Sequence, residues 1–365
     1  MSKYTYTFLL LAISFFGSLT ELYAQNTTVS DKIDAIVHQK MKEYNIPGLA
    51  IGVLKDTSFV YTKGYGVTTI GTKDTISENS VFHTASISKL FTGIAIMELV
   101  EDEKLNLDNK LVDLIPELPY KDERIKEITV KQLLNHTSGL PDVKNYHWER
   151  NNLHKSSLND YILNLTLTLR SEPSTQYYYS NLGYNILGLI IEKASGISFE
   201  DYLKDSILSK NNMNTSDFRY YKIPDSLKTS PHSQKKISNK VYVRKTYPYT
   251  REHAPSSTLN ASVKELSNWM HLFLNEYHSN PKSMYHQMTK PSTDLTSFIG
   301  LGFQLYNLDN YKAVGHFGGD KGFRSFLMLI PEKKIGLVVL GNCDYHEDYR
   351  QEILKPIAKL LIETL

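Results

Sequence analysis

One cysteine is all this chain has. Cys343 without a second thiol cannot close an internal disulfide, so stability has to come from a packed core. An excess of charge of one sign is also missing: 41 Lys and Arg face 39 Asp and Glu, a net +2. There is no long run of Lys or Arg either, which removes the electrostatic footprint of a nucleic-acid partner. The 12 histidines show neither His-x-His nor His-Glu-x-x-His spacing, so no zinc site is recognisable and neither a metal nor a cofactor is expected. A Gly-x-Ser-x-Gly elbow is absent as well, which argues against an α/β-hydrolase. The 25 tyrosines lack basic interleaving and read as packing residues rather than base-stacking platforms.

What is present is the substance of a large core, since 41% of the 365 residues are apolar and 22% charged. The first residues read as an export signal: Lys3 supplies a positive start, Phe8 to Leu19 is apolar but too short to span a bilayer, and Leu22-Tyr23-Ala24 ends on a small residue. Residues 1–24 are therefore expected to be removed near Ala24, leaving a periplasmic or secreted protein without a stable membrane anchor. Asp31 to Tyr44 has helical apolar spacing stopped by Ile46-Pro47-Gly48, and Leu49 to Val53 and Ser58 to Tyr65 read as a hairpin. Near the other end, Ser325 to Ile330 and Ile335 to Leu340 form a second hairpin, and Tyr349 to Leu365 is a closing helix.

Between these ends the predicted elements are helical: Leu90 to Val100, Val130 to Leu134, Leu158 to Leu169, Asn185 to Ala194, Phe199 to Leu208 and Val263 to Glu276. Lys222 to Lys245 reads as a polar surface excursion. The economical fold is α+β, with an antiparallel sheet flanked by helices and an inserted, mainly helical domain. The sheet lobe is assigned residues 25–84 and 285–365, and the helical lobe residues 85–284.

Three short motifs carry the chemistry. Ser86-Ile87-Ser88-Lys89 precedes an apolar run (Leu90, Ile94, Ile96, Met97, Val100) able to form a buried helix on which Ser86 and Lys89 share a face. Ser-x-x-Lys also occurs at Ser233 and Ser279, but the first lies in a polar stretch and the second contains Pro281. Tyr179-Ser180-Asn181 and His316-Phe317-Gly318-Gly319 supply Tyr-x-Asn and His-x-Gly, each of which occurs once. A hydroxyl becomes a useful nucleophile only when a neighbouring base takes its proton. Serine, lysine and tyrosine in this order suggest an acyl hydrolase.

The chain resembles the serine β-lactamase and penicillin-binding-protein superfamily, nearest to its class C-like branch of β-lactamases, D-alanyl-D-alanine carboxypeptidases and esterases. The likeness is carried by the three motifs together with Ile46-Pro47-Gly48, His83-Thr84-Ala85, Leu133-Leu134-Asn135-His136-Thr137-Ser138-Gly139-Leu140, Leu182-Gly183-Tyr184 and Gly300-Leu301-Gly302-Phe303. It implies a β-lactamase-like fold with a cleft between sheet and helical regions. It implies Ser86 as the acylated nucleophile, Lys89 and Tyr179 as the base system, and Asn181 as a partner of Lys89 or of a substrate amide. The N–H groups of Ser86 and Gly319 are the expected oxyanion hole, with Gly318 and Gly319 close to substrate. Which of Lys89 and Tyr179 is the base is left open, between a Lys89 whose pKa is lowered by burial or a neighbouring positive charge and a Tyr179 phenolate stabilised by the cations Lys89 and His316.

The His316-Phe317-Gly318 motif replaces the Lys-Thr-Gly of many relatives and removes groups that hold a substrate carboxylate. The Phe317 ring would narrow the cleft if it faced it. His136 reads as structural, and Lys321 and Arg324 as surface charges. The substrate implied is a small molecule or peptide, with a D-amino-acid cell-wall peptide or a β-lactam among the candidates. The leading reading is an exported peptidase or esterase of the penicillin-binding type; the alternatives are a class C-like β-lactamase and a penicillin-binding sensor with little turnover.

Overall fold

A computed structural model describes residues 28–56, 59–346 and 349–365, so the expected leader at 1–24 lies outside the described residues. Six strands build one antiparallel sheet: β1 (Gly48–Lys55), β2 (Phe59–Gly66), β3 (Gln304–Leu308), β4 (Tyr311–Asp320), β5 (Phe323–Ile330) and β6 (Ile335–Gly341), in the spatial order β2-β1-β6-β5-β4-β3. β1 joins the two ends of the chain by pairing Ile51 with Lys63 of β2 on one side and with Val339 of β6 on the other. The longer helices are α1 (Val29–Tyr44), α2 (Ser88–Glu101), α3 (Asn181–Ser195), α4 (Val263–Ser279) and α5 (Tyr349–Thr364).

Both faces of the sheet are covered, and the side-chain alternation of the strands shows how. Leu49, Ile51 and Val53 of β1 with Leu337 and Val339 of β6 pack with Ile33 and Val37 of α1 and Ile353, Leu354 and Ile357 of α5. Ala50, Leu54, Val338 and Leu340 point the other way, into a core shared with α4 and the helical region. At Gly52 a Cβ would stand 2.4 Å from Ser267 Oγ of α4, so the glycine permits the close approach of helix to sheet. α1 begins with a capping box between Thr28 and Asp31.

α2 is apolar on every side and is buried along nearly all its length, the pattern of a helix surrounded by others. It runs beside α3, whose N-terminus is capped by Ser180 and whose C-terminus ends at Gly196 in the left-handed region. Three sequence expectations need correction here. The helix expected over Leu158 to Leu169 spans only Ser157–Leu163, because Leu167 leaves to bridge Tyr120. The one expected over Phe199 to Leu208 is regular only to Tyr202 and continues as a wider π turn. The 222–245 excursion contains a small hairpin, His232–Gln234 with Val241–Val243, and its His232 is buried with Nδ1 against the Asn342 carbonyl.

Candidate active site

Ser86 sits in a tight turn, Ala85–Ile87, that leads directly into α2, with Ala85 held in the left-handed region at φ 49°. Such a backbone costs free energy in a residue with a Cβ, and here the surroundings fix it. Ser325 Oγ of β5 donates to the Thr84 carbonyl at 2.6 Å, Ser88 Oγ donates to the Ala85 carbonyl at 2.6 Å, and the Leu259 N–H donates to Ser88 Oγ at 2.9 Å. The turn is therefore pinned from the sheet, from its own helix and from a distant loop.

One helical turn on, Lys89 is fully buried. Its Nζ lies 3.0 Å from Ser86 Oγ and donates to the Ser256 carbonyl at 2.6 Å, over the ring faces of Tyr179 (5.1 Å) and Tyr184 (5.5 Å). Burial lowers its pKa to about 7, against the opposing fields of Asp142 and Asp320. The Tyr179 hydroxyl donates to Ser86 Oγ at 3.1 Å, and burial raises its pKa, so it stays a phenol at neutral pH. His136 underlies this arrangement: its ring stands 4.4 Å from that of Tyr179, and its Nδ1 accepts from the Ser180 N–H at 3.1 Å.

The structure brings Ser86, Lys89 and Tyr179 together around one oxygen. It also places β4 beside them. A Cβ at Gly318 would lie 2.3 Å from the Thr84 carbonyl and 3.3 Å from the Ser86 nitrogen, so only hydrogen fits there. Gly319 follows and is exposed.

Several residues behave differently from expectation. His316 is buried, its Nδ1 bonds to the Phe317 carbonyl at 2.5 Å, and burial with the nearby Lys89 drives its pKa down to about 3. It is therefore neutral near pH 7 and supplies no cation to a Tyr179 phenolate. Asn181 does not reach Lys89; its Nδ2 donates to both Asp142 oxygens, at 3.0 and 3.1 Å, and its N–H donates to Oδ1 at 2.7 Å. A carboxylate at the first residue of α3 captures both donors, which sequence alone gave no means of anticipating. Phe317 projects to the opposite face of β4 from His316 and Gly318. There it stacks on Phe326 at 3.8 Å and beneath the Arg350 guanidinium at 5.0 Å, so it does not narrow the cleft. Arg324, paired with Gly319, turns to the same face and donates to the Asp320 and Phe323 carbonyls, whereas Lys321 is exposed.

Sequence reading missed Asp142, Ser256 and Asp320. Asp142 lies in a loop, Ser256 in a four-residue helix (Ala254–Ser257) and Asp320 at a strand end, with no motif spacing to mark any of them. A cavity of about 570 Å³ lined by Phe298, Leu305, Tyr306 and Val314 lies elsewhere along β3 and β4 and contains none of the motif residues.

Known proteins share the sequence pattern and the fold. The chain is 27% identical over 330 residues to "Protein flp" of Staphylococcus aureus strain MW2, covering 85% of this chain but 62% of that protein's length. The octameric penicillin-binding protein homologue from Pyrococcus abyssi superposes with a TM-score of 0.77 at 26% identity, over 91% of this chain and 77% of the other. The D-amino acid amidase of Ochrobactrum anthropi SV3, solved with D-phenylalanine, gives a TM-score of 0.78 at 17% identity, over 93% and 100%, and shares the fold. Residues 33–361 match the family described as Beta-lactamase. With the match spanning nearly all the described residues, the chain belongs to the β-lactamase family of serine hydrolases, whose members work through an acyl-enzyme.

Proposed function

We propose that this protein is an exported hydrolase that opens amide or ester bonds through an acyl-enzyme on Ser86, a peptidase or esterase of the penicillin-binding type. The carrying observation is that Ser86 Oγ lies within hydrogen-bond reach of a buried amine with a pKa of about 7 and of a phenol that keeps its proton. Lys89 in its neutral form accepts the Ser86 proton while Oγ bonds to the substrate carbonyl carbon. The carbonyl electron pair moves onto oxygen, between the N–H groups of Ser86 and Gly319. Collapse of this intermediate breaks the bond to the leaving group, which takes a proton from Tyr179, itself recharged from Lys89. Water then repeats the sequence and frees Ser86.

Neutral His316 in place of a lysine, and Phe317 turned from the cleft in place of a threonine, leave the position without the cation and hydroxyl that hold a carboxylate. That supports an ester or amide without a free carboxylate beside the scissile bond over a β-lactam as the principal substrate, and D-amino-acid cell-wall peptides are screened beside such esters and amides. Export rests on the pattern Lys3, Phe8 to Leu19 and Ala24, and N-terminal sequencing of the secreted protein is expected to begin at Gln25.

The decisive experiment is labelling with a fluorophosphonate, followed by turnover of short-chain esters, D-Ala-D-Ala peptides and nitrocefin. Label is expected on Ser86, with labelling and turnover lost in Ser86→Ala. Persistence of label in that variant refutes the nucleophile. Nitrocefin turnover exceeding that of esters and peptides moves the reading to a β-lactamase, and acylation without turnover moves it to a sensor.

A further inference from the structure

The residue after the two glycines of β4 is Asp320, and its carboxylate joins parts of the site that are remote in sequence. Oδ1 accepts from Trp148 Nε1 at 2.9 Å and from the Lys321 N–H at 2.7 Å; Oδ2 accepts from Ser257 Oγ at 3.0 Å and lies 3.4 Å from His83 Nε2. His83 stands three residues before Ser86. Ser257 adjoins Ser256, whose carbonyl anchors Lys89. Trp148 stacks on Tyr146 at 4.7 Å, in the loop that follows Asp142. Burial opposes ionisation of Asp320, but the nearby His83 ring and the hydrogen bonds from the Lys321 N–H and Ser257 prevail and hold its pKa below the ordinary carboxylate value.

Keeping a mostly buried carboxylate charged is costly, and apolar packing would close the same space without that cost. Hydrogen bonds to an ion are short and directional, so they fix positions better than apolar contact does. Oxyanion stabilisation needs that accuracy, because its donors act only within a few tenths of an ångström of the correct distance.

We propose that Asp320 is a positioning residue for the hydrolysis: its carboxylate ties the end of the Gly319 strand to the segments that carry Ser86 and anchor Lys89. The oxyanion donor and the proton acceptor thereby keep fixed places about one serine oxygen. Asp320 also acts on Lys89 through its field, together with Asp142. The other groups around that amine are Tyr179, Tyr184 and the two neutral histidines, His136 and His316.

The inference rests on Ser86 being the nucleophile, which Ser86→Ala labelling decides separately on the wild-type background. Asp320→Asn is then assayed for fluorophosphonate acylation, for ester kcat and KM, and across pH. Acylation and kcat are expected to fall at least tenfold with KM within twofold, and the acidic limb of kcat/KM to move to lower pH, since a nearby negative charge no longer favours protonated Lys89. A merely structural role would leave that limb in place. Wild-type acylation, or an unmoved limb, overturns the proposal. Should Asp320→Asn fail to fold, Trp148→Phe and Ser257→Ala each remove one strut. Each is expected to slow acylation at least threefold, and wild-type rates in both overturn it.

Discussion

Lys89 carries the largest consequence of any single side chain, because a lysine with no exposure has to lose its proton readily or be paired. With a pKa of about 7, it makes kcat/KM rise with pH through that value as the amine becomes a base, and Lys89→Ala removes the limb along with the activity. Stability follows by linkage. The unfolded lysine holds its proton up to its ordinary value of 10.5, while the folded one releases it near 7. Between these values the unfolded state binds more protons, so folding is favoured as pH rises. Wild type is expected to gain about 1 kcal/mol per pH unit relative to Lys89→Met between about pH 8 and 9. Denaturant midpoints of both proteins at the two pH values check it, and parallel trends would mean that the amine is not depressed. The motif gave this residue away in the sequence; its depressed pKa came from the helices packed around it.

Strand β4 and the turn at Ser86 work as a pair, and their fit depends on a missing side chain. A methyl at Gly318 would collide with the Thr84 carbonyl and with Ser325 Oγ, both part of the bond that pins the turn. Gly318→Ala is expected to lower kcat at least a hundredfold and to cost about 2 kcal/mol of stability, of the order reported for overpacking a fitted interior. Activity near wild type would show that strand and turn can separate without loss. Phe317→Thr, one residue earlier but on the other face, is expected to change ester kcat less than tenfold, well below the loss in Lys89→Ala or Tyr179→Phe. Equal losses in all three would contradict the placement of the ring. At this scale the sequence was legible wherever periodicity was strong. The hairpins at Leu49–Tyr65 and Ser325–Leu340 and the closing helix lie where their apolar spacing put them. β3 and the first half of β4 were missed, since Gln304–Leu308 and Tyr311–Gly315 mix polar and apolar residues, and β3 is the edge strand, which only one neighbour fixes.

The described residues hold four interior histidines whose pKa lies below the ordinary value: His136, His232, His253 and His316. Burial lowers each pKa, to about 3 for His253 and His316, against 6.5 when unfolded. As pH falls through that interval the unfolded chain takes up protons that the folded chain refuses, so stability declines toward acid. Each such histidine adds a slope of up to about 1.4 kcal/mol per pH unit. Thermal midpoints are expected to drop steeply below pH 6, and His253→Gln, which removes one of the four away from Ser86, is expected to make that drop shallower. An unchanged slope would place the acid sensitivity elsewhere.

The sequence alone determined which three motifs the chain carries, their order, and the strands near both ends with most of the helices between them, because each of these is written in local spacing. Only the tertiary structure decided that Asn181 faces Asp142, that Phe317 turns from the cleft, that His316 is neutral, and that Asp320 binds its partners. Those facts depend on which distant segments meet and on how much water their meeting expels, and neither quantity is stored in any short stretch of chain.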